Sequence, residues 1–456
     1  MGTVMLTEFH IGIDDTDSPL GGCTTYTTTL VFQELLSIGI KPADFPWLVR
    51  LNPNIPWKTR GNGATSIHLA IEEGQIPLVE KVAIRIVEET TSKTERRTDP
   101  AVAFLKGPVA YHLRDFSNRA LHDVLSVKDA NHVSKATGAN FHATKSARGL
   151  IGALAAIGAK LDQVRHTFEV IVYRTKDNLG TKRAVDKESV FDMDTKYNDS
   201  TFQNLDRENG RVLICPHGPD PVLLGIRGFD PFTLLKALGE VRVREPVERV
   251  MIFRTNQGTN AHLTRPRKIS ELEPFQSAVL TARVDSLPRV LKGGHVIFRI
   301  RDETGVGVCA AYAPTGSMMR AARELIPGDE VRAYGGVRLN RDSSLTLNLE
   351  RLDILRIVEA FREENPRCPS CGTCCESMGR DQGFRCEKCG LRTRDSKTRV
   401  RISRDLEPSV EIPPPRSRRH LTRPQTASQN PDLMFAREDA FSFERLLKAI
   451  QPASTL

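Results

Sequence analysis

Three aspartates fall within four positions of one another in the stretch IGIDDTDSPLGGCTTY. They are Asp14, Asp15 and Asp17, and two glycines and a Cys-Thr-Thr sequence come soon after them. Carboxylates are the hard oxygen ligands that Mg²⁺ prefers, and Mg²⁺ in enzymes usually accompanies a polyphosphate. An Asp-rich turn that caps a helix would give much of the same pattern. The stretch therefore indicates a magnesium–nucleotide site, with an ordinary turn as the open alternative.

The elements around these acids fit a phosphate site. TEFHIGI alternates in polarity and predicts a strand that ends at Ile13, while the apolar spacing from Thr24 to Ile38 predicts a helix. The acids would then lie at the carboxyl end of a strand, where open α/β sheets place ligands. The helix N-terminus presents free N–H groups, and Gly21 and Gly22 would let an anion approach them.

Two further stretches combine cations with glycines. RLNPNIPWKTRGNGATS is a Pro-rich loop with the composition of a polyphosphate clamp, and NFHATKSARGLIGALAAIGA places two cations before a Gly-rich helix start. No G-x-x-x-x-G-K-[ST] motif occurs, which excludes a P-loop enzyme. The candidate phosphate-binding residues are Arg50, Lys58, Arg60, Gly61, Gly63, Lys145 and Arg148.

Strand and helix patterns alternate up to about residue 198, which predicts an α/β arrangement. Beyond it, RVLIC and RVMIFRT predict strands with PFTLLKALGEV as the helix between them, which is half of a ferredoxin-like unit. The loop CPHGPDPVLLGIRG between the first strand and the helix carries His217 and Asp220 among prolines and glycines. A rigid connector would have the same composition.

Residues 277 to 355 show five strand patterns, with the helical segment SMMRAARELI after the third. This order predicts an OB-fold, a β-barrel that often binds single-stranded nucleic acid. Because alternation sends half of each strand inward, some aromatic side chains would belong to the core. The candidate contacts to nucleic acid are Arg299, Arg301, Arg332 and Arg338 for charge, and Phe298, Tyr312 and Tyr334 for stacking.

The stretch PRCPSCGTCCESMGRDQGFRCEKCG holds two C-x-x-C-G pairs. Cys368 and Cys371 form the first pair, and Cys386 and Cys389 form the second. Four thiolates at this spacing bind Zn²⁺, and the glycine after each pair suits a tight metal-binding turn. Cys374 and Cys375 lack such a glycine and stay outside the predicted site.

Composition sets the class of protein. The chain has 456 residues and a net charge of +9, which suggests several domains and mildly favours a polyanionic partner. The clustered cysteines indicate metal binding in a reducing cytoplasm rather than secreted disulfides. There is no targeting signal, and the longest apolar stretch, GLIGALAAIGA, is too short to span a bilayer. The segment 399–456 is basic and rich in proline, which predicts disorder.

Several stretches, in their order along the chain, carry a resemblance to one known family. They are GIDDTDS, CTTY, RLNPNIPWKTRGNGA, ARGLIGALAAIGA, VLICPHGPDPVLLGIRG, the barrel strands and the Cys₄ pairs. With these stretches the chain resembles the archaeal tRNA agmatidine synthetases. The resemblance covers about residues 9 to 392. It implies a multidomain α/β and α+β protein. The expected domains are a kinase-like α/β domain at 1–198, part of which can belong to the next unit, a ferredoxin-like domain at 199–268, an OB-fold at 269–360, a zinc ribbon at 361–398 and the tail at 399–456.

The resemblance also implies the activity. Members of this family join agmatine to the 2-carbonyl carbon of the wobble cytidine of an isoleucine tRNA with a CAU anticodon, after phosphorylation of the carbonyl oxygen. ATP is consumed to AMP and two phosphates, and the product, agmatidine, lets the anticodon read AUA. The implied partners are therefore ATP, agmatine and this tRNA, with Mg²⁺ and Zn²⁺ as cofactors, a cytoplasmic location, and no membrane or obligate protein partner.

Roles follow for single residues. The family implies that Asp14, Asp15 and Asp17 bind Mg²⁺ and ATP, and that Thr24 is an autophosphorylated threonine. The guanidinium group of agmatine needs a carboxylate partner. Asp220 is the candidate for that partner, and His217 is the second candidate residue of the agmatine site. The alternative function is a non-catalytic, single-stranded nucleic-acid-binding protein with an OB-fold and a zinc ribbon. The acids, cations and glycines of the N-terminal third discriminate against it, because such a protein has no need of them.

Overall fold

The computed structural model describes residues 5–19, 21–92 and 95–424. Residues 6–255 form a mixed α/β body. Its strands are β1 (Leu6–Asp14), β2 (Trp47–Arg50), β3 (Gly63–Glu72), β4 (Ala101–Lys106), β5 (Asn140–Ala143), β6 (Thr167–Arg174), β7 (Thr201–Phe202), β8 (Leu205–Asp206), β9 (Arg211–Val212), β10 (Val222–Gly228) and β11 (Val247–Thr255). Its helices are α1 (Thr24–Ser37), α2 (Ile76–Thr90), α3 (Tyr111–His122), α4 (Val127–Thr137), α5 (Gly149–Gly158), α6 (Lys187–Tyr197) and α7 (Pro231–Glu240).

Nine of these strands form one sheet in the order β5-β4-β1-β3-β2-β11-β6-β10-β7. Strand β1 runs antiparallel to both of its neighbours, β3 and β4, and β2 pairs with β11 in parallel. The acids therefore follow the end of a strand, as the sequence predicts, but that strand does not belong to a parallel sheet. Their position is set by the helices that begin beside this strand end, α1 and α5.

The sheet buries an apolar core on each face. Phe9, Ile11 and Ile13 of β1 pack on the face covered by α1 and α2, where α6 and α7 extend the same core. The other face is covered by α3, α4 and α5. A Cβ on Gly12 would overlap the backbone carbonyl of Ala153 in α5. The run of small residues in GLIGALAAIGA thus lets α5 lie directly on β1.

The second half of the sheet differs from the prediction. The pattern of RVLIC predicts a strand, but its extended part is only Arg211–Val212, and the strand that enters the sheet is β10, within the segment predicted to be a loop. Leu223, Leu224 and Ile226 of β10 are fully buried. This apolar run sits between prolines and glycines, and their turn-like composition conceals it in the sequence. The helix α7 and the strand β11 lie where predicted.

Residues 277–356 close into a five-stranded barrel, as the strand order predicts. Its elements are β12 (Ser277–Val284), the short β13 (Arg289–Val290), β14 (Val296–Arg301), β15 (Val306–Ala311), α8 (Ser317–Arg323), β16 (Glu330–Leu339) and β17 (Leu345–Arg356). Pairing of β12 with both β16 and β14 closes the barrel. Phe298 is buried in the barrel core, and Tyr334 is 9% exposed and donates a hydrogen bond to Asp353. These two rings are therefore not available for stacking on bases.

The remaining strands are short: β18 (Ala360–Glu364), β19 (Glu376–Ser377), β20 (Phe384–Arg385), β21 (Arg392–Thr393), β22 (Thr398–Ile402) and β23 (Ser409–Glu411). The structure differs from the predicted disorder at residues 399–424, because β22 pairs with β18 and β23 pairs with the barrel strand β17. Arg404 there forms an ion pair of 2.6 Å with the buried Asp329. Residues 425–456 of the predicted tail lie outside the described residues. Among the described residues, no helix is long and apolar enough to cross a membrane.

Candidate active site

One cavity of about 460 Å³ brings together most of the predicted site residues. It is formed where the end of β1, the starts of α1 and α5, the loop before β3 and the loop before β10 meet. The predicted residues that line it are Asp14, Asp15, Asp17, Thr24, Arg50, Lys58, Arg60, Gly61, Gly63, Arg148, His217 and Asp220. Gly21, Gly22 and Lys145 are not part of its wall.

The acids are placed by a tight turn and by a glycine of α5. Asp14 is the last residue of β1, and Asp15 has a φ of 58°, a left-handed conformation that turns the chain directly after the strand. A Cβ on Gly152 would overlap the Asp14 carboxylate. Gly152 therefore leaves the space in which that carboxylate lies.

Arginines from distant segments neutralise two of these acids. Arg148 donates to Asp15 Oδ2 from Nη2 at 2.6 Å and from Nε at 3.1 Å. Arg60 donates from Nε to Asp17 Oδ2 at 3.2 Å, and its Nη1 lies 3.3 Å from Asp220 Oδ2. Arg60 thus joins the acid cluster to the loop before β10.

Burial makes Asp14 and Asp15 hard to ionise. It raises the pKa of Asp14 well above its usual range, and the charges of Asp15 and Asp17 raise it further. Burial also raises the pKa of Asp15 to about 6, against the opposing effect of its bond to Arg148. The wall holds three carboxyl groups and only two partner arginines. Carboxylate oxygens are ligands that divalent cations prefer, and a bound cation would favour the ionised form of each carboxyl group. Asp14, Asp15 and Asp17 offer oxygen donors of the kind that Mg²⁺ prefers, but among the described residues their ligand atoms do not all lie within 4.8 Å of one another, as those of the paired cysteines do.

Thr24 lines the cavity at the start of α1, but it is not the helix cap. The N-cap position belongs to Cys23, which makes no side-chain capping bond, and Thr24 is the first helical residue. Its hydroxyl accepts a hydrogen bond of 3.3 Å from Thr16 Oγ1. The interpretation of Thr24 as an ordinary capping residue is wrong, since capping requires the preceding position.

Gly61 and Gly63 lie beside the side chain of Arg50. A Cβ at either position would lie within 3 Å of Arg50 Nη1. The two glycines therefore make room for the Arg50 side chain, whose Nε donates to Gln257 Oε1 at 3.3 Å. Among the described residues, the two terminal nitrogens of Arg50 have no hydrogen-bond acceptor, and they line the cavity.

The two predicted lysines differ in position. Lys58 lines the cavity, where its Nζ donates to the carbonyl of Ile55 at 2.9 Å and burial lowers its pKa. Lys145 lies outside and donates to the backbone carbonyls of Glu95, at 2.7 Å, and of Thr98. It fixes the loop before β4, a role that its place in the sequence does not reveal.

The predicted agmatine residues line the same cavity from the loop before β10. Asp220 is 4% exposed, and both of its oxygens are engaged: Arg60 lies at Oδ2, and Arg183 Nη2 lies 3.4 Å from Oδ1. His217 Nε2 lies 2.7 Å from Arg211 Nη2. The Asp220 carboxylate is thus already shared by two guanidinium groups.

The sequence alone assigned no role to four residues of this site, although Arg227 belongs to the predicted loop that carries His217 and Asp220. Arg183 anchors Asp220; Glu169 and Arg227 form a buried ion pair of 3.0 Å; and His420 reaches the wall from the C-terminal segment. Glu169 gave a usable signal, since an acid within the apolar strand TFEVIVY needs a buried partner. His420 gave none, because the basic run RSRRH is typical of a solvated segment.

The four paired cysteines converge away from this cavity. The sulfurs of Cys368, Cys371, Cys386 and Cys389 all lie within 4.8 Å of one another, and the Cys371–Cys386 pair is 3.4 Å apart. Tetrahedral zinc with bonds of about 2.3 Å needs sulfurs roughly 4 Å apart, so the four fit Zn²⁺. Cys375 is buried against them, and Cys374 is exposed.

Three family models match the chain in order along the sequence. They are described as the TiaS TCKD domain at residues 10–83, the TiaS FLD domain at residues 147–262 and the TiaS C-terminal zinc ribbon domain at residues 365–406. The chain is thus a multidomain protein assembled from TiaS-type domains around an acid-lined cavity. Relatives match over nearly the full length. The isoleucine-tRNA 2-agmatinylcytidine synthetase TiaS of Thermococcus sibiricus is 40% identical over 92% of this chain and 96% of its own. The protein of the same name from Methanosarcina mazei is 42% identical over 93% of this chain and 98% of its own.

Solved structures agree. A crystal structure of apo TiaS, described as an isoleucine-tRNA agmatidine synthetase, superposes with a TM-score of 0.80 at 40% identity over 91% of this chain and 97% of that one. A crystal structure of TiaS in complex with its isoleucine tRNA and ATP superposes with a TM-score of 0.82 at 39% identity over 92% and 97%. This chain belongs to the TiaS family, the isoleucine-tRNA 2-agmatinylcytidine synthetases.

Proposed function

We propose that this chain is an ATP-dependent carbon–nitrogen ligase that joins agmatine to the wobble cytidine of an isoleucine tRNA with a CAU anticodon, in the cytoplasm. The proposal is supported by one combined observation. This chain is about 40% identical to named synthetases over more than nine-tenths of its length, and twelve of its predicted site residues line one cavity. The alternative, a non-catalytic nucleic-acid-binding protein, gives no reason for a buried cluster of acids and arginines.

The proposal divides the chain as the family does. It assigns a kinase-like domain to the N-terminal part, a ferredoxin-like domain around α7 and β11, and an OB-fold to the barrel. The FLD match begins at residue 147, and β6 shares a sheet with β10 and β11. This supports moving residues 147–198 from the first domain to the second.

The acid cluster is the proposed nucleotide centre. Asp14, Asp15 and Asp17 would hold Mg²⁺, which when bound neutralises polyphosphate charge and polarises phosphoryl oxygens. Arg148 orients Asp15 through its two hydrogen bonds, and Arg60 does the same for Asp17. These pairs fix the two carboxylates before substrate arrives, so that little reorganisation is needed during phosphoryl transfer.

The cations of the cavity are the proposed phosphate contacts. The terminal nitrogens of Arg50 face the cavity without an acceptor among the described residues, which is the state expected of a guanidinium that awaits an anion. Lys58 lies on the same loop as Arg60. Gly21 and Gly22 act through the backbone turn before α1, where both have positive φ values.

Thr24 is the proposed phosphoryl acceptor. Its hydroxyl lines the cavity that the three acids line, and it accepts a hydrogen bond from Thr16, which leaves its own proton for a base or for solvent. In the proposed step the γ-phosphoryl group of ATP passes to this oxygen, the hydroxyl proton is lost and ADP is the leaving group. Because the family consumes ATP to AMP and two phosphates, this ADP has to be cleaved once more in the same reaction. The position at the helix N-terminus stabilises the added negative charge.

Agmatine is proposed to bind at the wall formed by Asp220 and His217. Because Arg60 already occupies Asp220 Oδ2, the guanidinium of agmatine has to displace Arg60, which would then turn fully to Asp17. Binding of agmatine and alignment of the acid cluster are coupled in this proposal. The primary amine at the other end of agmatine would face the cavity and attack the 2-carbon of the cytidine, whose oxygen has been phosphorylated. The carbon–oxygen bond then breaks, phosphate leaves with that oxygen, and the amine loses its protons.

The barrel and ribbon are the proposed tRNA-binding half. The barrel arginines are exposed, and Tyr312 remains the one half-buried candidate ring of the three proposed for stacking. A wobble base has to leave its stack to reach an enzyme cavity, so an anticodon-binding surface beside the cavity is required. Cys368, Cys371, Cys386 and Cys389 would hold the Zn²⁺ that folds the ribbon.

Incorporation of labelled agmatine tests the proposal. The chain, ATP and Mg²⁺ are incubated with labelled agmatine and a transcript of isoleucine tRNA with a CAU anticodon. A transcript that differs only by a GAU anticodon serves as the control. Label should enter the CAU transcript alone, and omission of ATP or the change Asp14→Asn should abolish it. Equal labelling of both transcripts, or none, would reject the proposed function.

A further inference from the structure

The C-terminal segment completes the wall of the cavity. This segment, residues 412–424, is here called the C-terminal strap. It leaves the barrel after β23 and crosses to the α/β body. Of the strap, His420 lines the cavity, together with Arg50 and Arg227.

Several anchors hold the strap at defined points. The backbone N–H of Gly258 donates to the carbonyl of His420 at 2.9 Å, and that of Asn260 donates to the carbonyl of Leu421 at 2.7 Å. Leu421 is 1% exposed. Arg419 joins the barrel and the body, because its Nε lies 3.0 Å from Glu350 and its Nη1 donates to the carbonyl of Pro53 at 2.8 Å. The residue between these anchors, His420, is therefore held in place rather than carried by a loose end.

The ring of His420 lies beside the guanidinium of Arg50. A Cβ built on Gly61 would meet Arg50 Nη1 at 2.8 Å and His420 Nε2 at 3.1 Å, so both nitrogens border the space that this glycine leaves open. Among the described residues, neither the His420 ring nor the terminal nitrogens of Arg50 have a hydrogen-bond partner. The nearest buried acid, Glu169, is bound by Arg227 and Gln257.

The charge at this point favours an anion. The positive charge of Arg50, followed by burial and by Arg227, holds the pKa of His420 well below its usual range, so the imidazole is neutral and offers one N–H donor. A guanidinium fork and a neighbouring N–H donor match the oxygens of a phosphate group. Among the described residues, neither the terminal nitrogens of Arg50 nor the ring of His420 has a hydrogen-bond acceptor that an incoming ligand would need to displace.

We propose that Arg50 and His420 form a phosphate-binding subsite in the cavity wall and that the C-terminal strap builds it. This inference rests on the proposed function and deepens it, because it places a segment beyond the ribbon in the catalytic centre. The phosphate comes from one of two sources, the triphosphate of ATP or the backbone of the tRNA next to the wobble nucleotide.

The test uses three full-length variants. His420→Ala removes the donor, and His420→Gln restores an N–H near the position of Nε2. His132→Ala, at an exposed histidine on α4, is the matched control. The dissociation constant of the ATP analogue AMPCPP with Mg²⁺ is measured by calorimetry without tRNA, and the KM for the tRNA transcript is measured by agmatine incorporation. Thermal unfolding checks that each variant is folded, and His420→Phe, which keeps a ring but has no N–H donor, replaces the alanine variant if that variant is not folded.

His420→Ala should raise either the dissociation constant of AMPCPP or the KM for tRNA by about tenfold, as expected for the loss of a hydrogen bond to a charged group. His420→Gln should recover most of the lost affinity. A change in AMPCPP affinity assigns the subsite to ATP, and a change confined to the KM for tRNA assigns it to the tRNA backbone. Unchanged values for both ligands, or equal losses in His132→Ala, would overturn the subsite. If the wild-type protein binds AMPCPP but modifies no tRNA, the proposed function is rejected. The subsite is then tested by the dissociation constants of AMPCPP for the wild type and the His420 variants.

Discussion

Replacement of Gly152 by alanine should remove activity without destabilising the fold. The added Cβ would overlap Cγ and Oδ2 of Asp14. Ordinary contact between such atoms needs about 3.5 Å, so the carboxylate has to move by on the order of 1 Å. Alanine in place of a helical glycine is otherwise favourable by about 0.8–1.0 kcal/mol, which offsets the local crowding.

The expected loss is large for so small a change. A misplacement of about 1 Å in a catalytic group costs roughly 100-fold in rate, or about 2.7 kcal/mol of transition-state stabilisation. Initial rates of ATP turnover at saturating tRNA and agmatine, with Mg²⁺ varied, give the loss. Gly239→Ala is the matched control, because it lies in helix α7 with nothing within 4 Å of its Cβ, and it should keep wild-type rates.

A double-mutant cycle tests whether Asp14 transmits the effect. Because the displaced carboxylate belongs to the proposed MgATP site, Gly152→Ala should also lower the affinity for MgATP when Asp14 is present. In an Asp14→Ala background the carboxylate is absent, so Gly152→Ala should lower that affinity by less than about twofold. Turnover within about threefold of wild type in the folded Gly152→Ala variant would refute the reasoning. An equal affinity loss with and without Asp14 would also refute it, since the glycine would then act through packing alone.

Three further predictions concern other parts of the site. Thr24→Ala should abolish phosphate labelling from γ-labelled ATP and block agmatine incorporation. The controls Thr24→Ser and Thr25→Ala should still be labelled. An unlabelled wild-type peptide around Thr24 would exclude a phosphoenzyme. Cys386→Ser should lose the zinc seen by elemental analysis and weaken tRNA binding while ATP hydrolysis persists, and zinc-free wild-type protein would contradict this. Asp220→Asn should raise the KM for agmatine about tenfold with the KM for ATP changed less than about threefold, and the reverse pattern would move agmatine elsewhere.

Local patterns in the sequence predict much of this fold. The end of β1, the start of α1, the five long barrel strands and the convergence of four cysteines all follow from periodicity or from fixed spacing. Each of these features depends on residues that are near one another in the chain. The candidate acids and phosphate-binding residues of the N-terminal third belong to the same group, since each of their stretches carries its own glycines and charges.

The features that sequence reasoning missed depend on contacts between distant segments. Strand β10 is concealed by the turn residues around it, and the close approach of Gly61 to Arg50 depends on how the Arg50 side chain lies. Glu169 becomes part of the site only because β6 pairs with β10, which carries Arg227. His420 arrives from beyond the zinc ribbon. No spacing rule reaches across such separations.

The mass of the wobble nucleoside tests the central claim most directly. The purified chain is incubated with ATP, Mg²⁺, agmatine and a transcript of isoleucine tRNA with a CAU anticodon, and the RNA is then digested and its nucleosides are weighed by mass spectrometry. The account predicts that the wobble cytidine gains the mass of agmatine less one water, and that every other cytidine stays unchanged. A wobble cytidine of unaltered mass, from protein that contains zinc and binds ATP, would contradict it.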